Sequence, residues 1–277
     1  CLYCSIIEQY ICNMSVDLSK EKLRKILINL GIKAKDKINV SSNILNIISS
    51  KKNELKPLEI IETIKEIVTR QGTILFPTFN WNFCKGNTFD YRKTKSLSGS
   101  LSNLALNKSE FKRSKNPIYS FAVFGKDKAK IINLKHQSCF GLNSPFGYLI
   151  KNKGKNLFID LDYKKAFTFV HVAEESVGVN YRYLKNFENF YIDKNRNKKK
   201  RLFKMYVRRN NKVRSTLINK KFDFVLKKNK SIKTIRYGKI IFSLVDIQKA
   251  YELMIKDIKS SGGIITPELK WYEKIFF

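Results

Sequence analysis

The sequence predicts an α/β fold of mixed α+β character, a central mixed β-sheet flanked by helices. Short apolar runs bounded by glycine or proline, such as Thr73-Ile74-Leu75-Phe76 before Pro77, read as buried strands. Between them lie segments whose apolar residues recur at helical spacing behind recognisable start signals. A hydrophobic fraction of 43% over 277 residues is enough to fill a sizeable core. Strands and helices alternate from end to end, which favours an α/β arrangement over an all-helical or all-β one.

Each element has its own signal. Asp17-Leu18-Ser19 precedes Leu23, Ile26, Leu27 and Leu30, which share a helical face, and Gly31 follows as a stop. Ile38-Asn39-Val40 reads as a short strand. Pro57 suits a first helical turn; Leu58, Ile61, Ile64 and Val68 then line one face, and Gly72 is read as the end. Tyr119 to Phe124 forms an apolar run stopped by Gly125, and Leu157 to Leu161 has strand character after Gly154. A helix from about Thr168 carries His171 and Glu174. Lys239 to Leu244 reads as a strand, and Asp246 caps a last helix through Ile247, Ala250, Met254 and Ile258, with Gly262-Gly263 beyond it.

Composition narrows the class. No stretch approaches about 20 uninterrupted apolar residues, so no membrane-spanning helix is expected. Residues 1–13 precede Met14, carry no secretory pattern, and are read as an upstream extension; residues 14–277 are read as one domain. Three of the five cysteines fall in that leader, where Cys1-x-x-Cys4 lacks a second ligand pair, so no metal site is expected. Cys84 and Cys139 remain, which fits a reducing, cytoplasmic setting rather than a disulfide framework. The net charge of +32 draws polyanions in general. The lysines are scattered, except for a basic excursion around residues 194–239 in which Asp223 is the only acid. That excursion reads as a hairpin or meander with a solvated face. It shows neither a zinc finger nor the paired aromatics of an RNA-binding sheet.

There are two histidines, His136 in a polar loop-like context and His171 in an apolar one. Histidine is the side chain best suited to exchanging protons near neutral pH. Thr168 and Glu174 lie three residues either side of His171, so one helical face would present a hydroxyl, an imidazole and a carboxylate. Spacing alone fits a hydrogen-bonded structural histidine better than a catalytic one.

The motifs around His171 change that balance. Thr168-Phe169-Val170-His171-Val172-Ala173-Glu174 resembles the Thr-x-x-His-x-x-Glu segment of the aminoglycoside 3-N-acetyltransferase family. Val40-Ser41-Ser42 is similar to that family's Ser-Ser loop, and Gly72 to Thr78 to its Gly-Thr-hydrophobic-Pro-Thr strand. Phe89-Asp90, Gly99-Ser100-Leu101, Arg113-Ser114, Pro117 to Ser120, Ser144 to Gly147 and Tyr181-Arg182 follow in the family's order. The likeness covers residues 38–183 and loosens beyond, and it looks most like the branch found in bacterial surface-polysaccharide gene clusters. Asn116 stands where the family has a histidine before Pro117, which removes any acid–base role there.

The resemblance implies the family's fold, acetyl-CoA as co-substrate and no metal. It implies His171 as the base that takes a proton from an acceptor amine attacking the thioester, with Glu174 or Asp162 orienting it. Ser41, Ser42, Thr78 and Ser120 would line the pantetheine and thioester region, and Arg113 would meet the phosphates of acetyl-CoA. An acyl-cysteine route through Cys84 or Cys139 is the lesser alternative. Partners are then acetyl-CoA and an amino-sugar acceptor, with room for a homodimer. The positive charge suits a nucleotide-linked amino sugar of polysaccharide biosynthesis better than a polycationic aminoglycoside. An antibiotic-resistance enzyme is the first rival reading. A nucleic-acid-binding protein using the basic stretch ranks well behind, because it leaves the ordered motifs unexplained.

Overall fold

A computed structural model describes residues 17–49, 54–209 and 218–260. The leader 1–13 and Gly262-Gly263 lie outside these residues. Helix α1 (Lys20–Leu30) starts where Ser19 Oγ accepts the Lys22 amide at 3.2 Å, and Gly31 closes it in the left-handed region at φ 113°. Strand β1 (Lys37–Ser42) and the short helix α2 (Leu45–Ile48) follow. Helix α3 (Pro57–Val68) has proline in its first turn, as read from sequence. Its buried face is Ile60, Ile61, Ile64, Ile67 and Val68, whereas Leu58 is exposed. It ends at Thr69, at φ 63°, rather than at Gly72. Gly72 answers a different need: a β-carbon there would stand 2.5 Å from the Asp36 carbonyl oxygen.

The chain continues through β2 (Thr73–Pro77), β3 (Phe89–Asp90), α4 (Ser100–Asn107), β4 (Lys112–Arg113) and β5 (Phe121–Gly125). Helices α5 (Lys128–Ile132) and α6 (Pro145–Lys151) lead to β6 (Lys155–Ile159), α7 (Tyr163–Ala166) and α8 (Phe169–Val177). A long hairpin, β7 (Arg182–Ile192) and β8 (Lys198–Arg208), precedes α9 (Lys220–Lys228), β9 (Ile232–Tyr237), β10 (Ile240–Asp246) and α10 (Ile247–Lys259). Asp246 caps α10 by accepting the Lys249 amide at 3.1 Å.

Seven strands form one sheet in the order β4-β5-β2-β1-β6-β10-β9. Its centre, β2-β1-β6, is parallel, and the outer pairings are antiparallel. The period-two alternation of the strands divides the core. Ile38, Val40, Ile74, Phe76, Leu157 and Ile159 pack with α1 and α3 on one face. Leu75, Phe121, Val123 and Phe158 pack with α6, α8 and α10 on the other. Because β2, β1 and β6 run the same way, the loops after all three leave one end of the sheet, the end at which ligands bind in open α/β sheets. Helix α8, with His171, follows β6 at that end.

The basic stretch is not one excursion. β8 pairs with β7 and, with β3, makes a second sheet of order β3-β7-β8, while β9 joins the main sheet beside β10. The hairpin therefore begins at Arg182, ahead of the basic run. Among the described residues no helix is long and apolar enough to cross a membrane.

Candidate active site

Helix α8 begins without a side-chain cap, and the Thr168 hydroxyl turns back to the Ala166 carbonyl at 3.5 Å. The expected trio of hydroxyl, imidazole and carboxylate is thus reduced to two. His171 Nδ1 and Glu174 Oε2 lie 2.8 Å apart, one helical turn from each other. A carboxylate can only accept, so this bond fixes the Nδ1–H tautomer. Glu174 is fully buried and His171 is 25% exposed, so the carboxylate sits behind the ring and the ring faces outward.

A buried carboxylate needs compensating partners. Glu174 Oε2 also meets Arg182 Nε at 2.7 Å, and the Tyr181 hydroxyl donates to Oε1 at 3.2 Å. Burial and the adjacent Glu174 charge push the Tyr181 hydroxyl well above its usual range, which keeps it a donor. Gly178, in the left-handed region at φ 74°, ends α8 and lets the chain turn back so that Tyr181 and Arg182 reach Glu174. Arg182 Nη1 also donates to the Tyr206 carbonyl at 3.1 Å, which ties the hairpin to the histidine helix.

The ring of His171 lines a cavity of about 420 Å³. Trp81, Tyr119 and Phe140 form an aromatic wall, with Phe140 centred 5.2 Å from the imidazole. The hairpin supplies the opposite wall through residues that include Arg182, Lys185, Met205 and Arg208. Trp81 Nε1 donates to the Tyr119 hydroxyl at 3.3 Å, and burial pushes that hydroxyl up to about 12. With Nδ1 held by Glu174, Nε2 is the nitrogen a ligand in the cavity can meet.

The other sequence-predicted residues fall elsewhere. Asp162 caps α7 by accepting the Lys164 amide at 3.0 Å; Glu174, not Asp162, bonds His171. Arg113 is buried and cannot reach a surface phosphate. It donates from Nε to Ser120 Oγ at 3.0 Å, from Nη2 to the Thr78 carbonyl at 3.1 Å and from Nη1 to the Thr94 carbonyl, with the Phe89 ring 4.7 Å away. Burial lowers this guanidinium to about 10. Thr78 and Ser120 are fully buried, with hydroxyls 2.8 Å apart. The three brace β2, β4 and β5 together rather than line the cavity. Ser41 and Ser42 are part-exposed at the C-terminal end of β1. Asn116 is buried, and its Oδ1 accepts the Ile118 and Tyr119 amides at 2.9 and 2.8 Å, so this amide shapes the turn that places Tyr119.

Neither body thiol is activated. Burial raises Cys84 to about 11 and pushes the fully buried Cys139 well above its usual range. Among the described residues no group of three His, Cys, Asp or Glu side chains is placed to hold a metal. The sequence reading did not find Arg182 as the counter-charge of Glu174, nor the wall of Trp81, Tyr119 and Phe140. Arg182 carried a signal, an arginine just past a glycine helix stop; the aromatics carried none.

The model of the aminoglycoside 3-N-acetyltransferase family matches residues 47–259. The SPbeta prophage-derived aminoglycoside N(3')-acetyltransferase-like protein YokD of Bacillus subtilis (strain 168) is 29% identical over 139 residues, 42% of this chain. The chain spans half the length of this curated relative. Among solved structures, AAC-IIIb in a binary complex with CoASH superposes with TM-score 0.73 at 17% identity, over 87% of this chain and 96% of that one. AAC-VIa bound to sisomicin gives 0.73 at 15% identity, over 88% and 98%. The crystal structure of YokD gives 0.68 at 22% identity, over 86% and 97%. These likenesses establish the fold. With the family model extending from α2 to the end of α10, the chain belongs to the aminoglycoside 3-N-acetyltransferase family.

Proposed function

We propose that this chain transfers an acetyl group from acetyl-CoA to an amino group of a sugar-borne acceptor, with His171 as the base. The observation that carries this is the pair His171–Glu174, 2.8 Å apart, with the imidazole facing a cavity and the carboxylate buried behind it. As the amine attacks the thioester carbon, Nε2 takes its proton, the N–C bond forms and the C–S bond breaks. The imidazolium, stabilised by Glu174, then returns the proton to the departing thiolate of CoA. A positioned base of this kind contributes roughly 10²–10⁴-fold. Ser41 and Ser42, at the ligand-binding end of β1, suit contact with the pantetheine arm. Arg113, Thr78 and Ser120 support the fold beneath.

Two acceptor classes fit an amino group on a sugar. The fold neighbour bound to sisomicin supports an aminoglycoside and hence antibiotic resistance. The cationic hairpin wall of the cavity favours an anionic, nucleotide-linked amino sugar, and with it a place in surface-polysaccharide assembly. Thiol release from acetyl-CoA, followed with both classes of acceptor and with His171→Ala as control, tests the reading. Acceptor-dependent release that His171→Ala abolishes supports it. Absence of both release and acetyl-CoA binding contradicts it.

A further inference from the structure

Acetyl transfer needs a second group besides its base, a hydrogen-bond donor for the negative charge that develops on the thioester oxygen. Among the side chains lining the cavity, Arg182 is turned to Glu174 and the Tyr206 carbonyl, and the Tyr206 hydroxyl donates to the Val179 carbonyl at 2.8 Å. Tyr183 and Lys185 are exposed, where water weakens any such interaction. Tyr119 differs. It is 9% exposed, and its hydroxyl accepts from Trp81 Nε1 at 3.3 Å. A tyrosine hydroxyl both accepts and donates, and among the described residues this O–H meets no acceptor. A donor is thus left over on a buried residue that shares the cavity with His171.

The hydroxyl is held in place before any ligand arrives. Asn116 Oδ1 accepts the Tyr119 amide at 2.8 Å, and the rings of Phe79 and Phe140 pack on the Tyr119 ring at 4.5 and 4.7 Å. The indole N–H occupies one lone pair, which polarises the O–H and strengthens it as a donor. Burial, which lifts the group to about 12, keeps the proton on oxygen at neutral pH. Phe140 touches both partners, its ring centred 4.7 Å from that of Tyr119 and 5.2 Å from that of His171. Base and donor so spaced leave between them room for an amine and a thioester carbonyl in series. We infer that the Tyr119 hydroxyl is the oxyanion donor of the transfer reaction. This rests on the acetyl-transfer reading above. As the amine nitrogen bonds to the thioester carbon, the C=O π pair moves onto oxygen, and Tyr119 donates a hydrogen bond to that oxygen while keeping its own proton. When the C–S bond breaks, the pair returns to form the amide carbonyl, and the CoA thiolate takes the proton held on His171.

The test is Tyr119→Phe, which keeps the ring and its packing and removes the hydroxyl. Its kcat and KM values are measured with an amino-sugar acceptor, alongside its urea midpoint. Calorimetric binding is measured for acetyl-CoA and for CoA carrying a methylphosphonyl group in place of acetyl, a stable tetrahedral anion. The expected result is a fall in kcat of about 10²-fold with both KM values within about twofold. Affinity for the tetrahedral analogue should fall by a similar factor while that for acetyl-CoA is unchanged. A kcat near that of the parent with a raised KM for the acceptor would assign the hydroxyl to sugar binding and overturn the inference. Unchanged affinity for the analogue, or equal loss for analogue and acetyl-CoA, would overturn it too, the latter as the mark of a reshaped cavity. Analogue binding is read without an acceptor, so these failures leave His171-dependent thiol release standing by itself. A parent protein that binds no acetyl-CoA would defeat the transfer reading and this inference with it.

Discussion

Arg182 Nε lies 2.7 Å from Glu174 Oε2, joining the first residue of β7 to the helix that carries His171. The same carboxylate oxygen holds His171 Nδ1, so one buried group both orients the imidazole and anchors the wall of the cavity.

Glu174→Gln separates the two roles. An amide can hold the ring but leaves an imidazolium uncompensated and can favour the wrong tautomer, so kcat should fall by about 10²-fold or more. The buried Arg182 also loses its counter-charge, at a cost of about 3–5 kcal/mol. Steady-state kinetics together with urea unfolding check both. A variant with normal kcat would remove Glu174 from the chemistry.

Arg113→Gln should destabilise without touching acetyl-CoA binding. Its three hydrogen-bond acceptors, Ser120 Oγ and the Thr78 and Thr94 carbonyls, lose a buried donor, at a cost of about 2–4 kcal/mol in total. The KM for acetyl-CoA measured on the folded fraction should stay within about twofold. A large rise in that KM at unchanged stability would restore the phosphate-binding role that sequence suggested.

Gly125→Ala should be severe. At φ 99° a β-carbon is strained, and here it would stand 2.0 Å from the Gly72 carbonyl oxygen. Separating β5 from β2 at this point should cost roughly 2–4 kcal/mol, read as a lower urea midpoint.

The thiols should be bystanders. With Cys84 raised to about 11, about one molecule in a thousand carries its thiolate at about pH 8. Cys84→Ser should keep wild-type turnover, and labelling of the native protein by a thiolate-selective reagent should be slow until it unfolds. Fast native labelling at Cys84 with loss of activity would revive an acyl-cysteine route.

Burial holds the His136 imidazole below its usual range against the opposing Ser138 carbonyl. With a lowered folded pKa, the unfolded chain binds the proton more readily; the stability is full above about pH 6.5 and is lost as pH falls toward the folded value. Glu175, raised by burial, works in the other sense and loses its contribution as pH rises through its folded pKa. His136→Gln should therefore flatten the loss of stability on going from about pH 7 to about pH 5, measured by urea unfolding at each pH.

The order of helices and strands was legible in the sequence because caps and periods are local. Ser19 before α1, Pro57 in α3 and Asp246 before α10 act within a few residues of themselves. Leu58 was misplaced because spacing finds an apolar stripe but not which edge of it meets the core. Gly72 was read as a helix stop although its reason, the carbonyl of Asp36, lies far away in sequence. The pairing of His171 with Glu174 was visible because the two stand one helical turn apart. The roles expected of Arg113 and Asp162 differ in the structure because burial and competing backbone partners are tertiary facts. Trp81, Tyr119 and Phe140 come from three separate loops and share a wall only once the sheet has formed.

The central claim is that His171, held by Glu174, removes the proton from the acceptor amine. Its most direct test is the rate of thiol release from acetyl-CoA by His171→Ala with a turned-over amino-sugar acceptor, alongside its urea midpoint. The account predicts a fall in kcat of about 10²-fold or more, with the midpoint close to that of the parent. Turnover near the parent rate in a folded His171→Ala protein would contradict it.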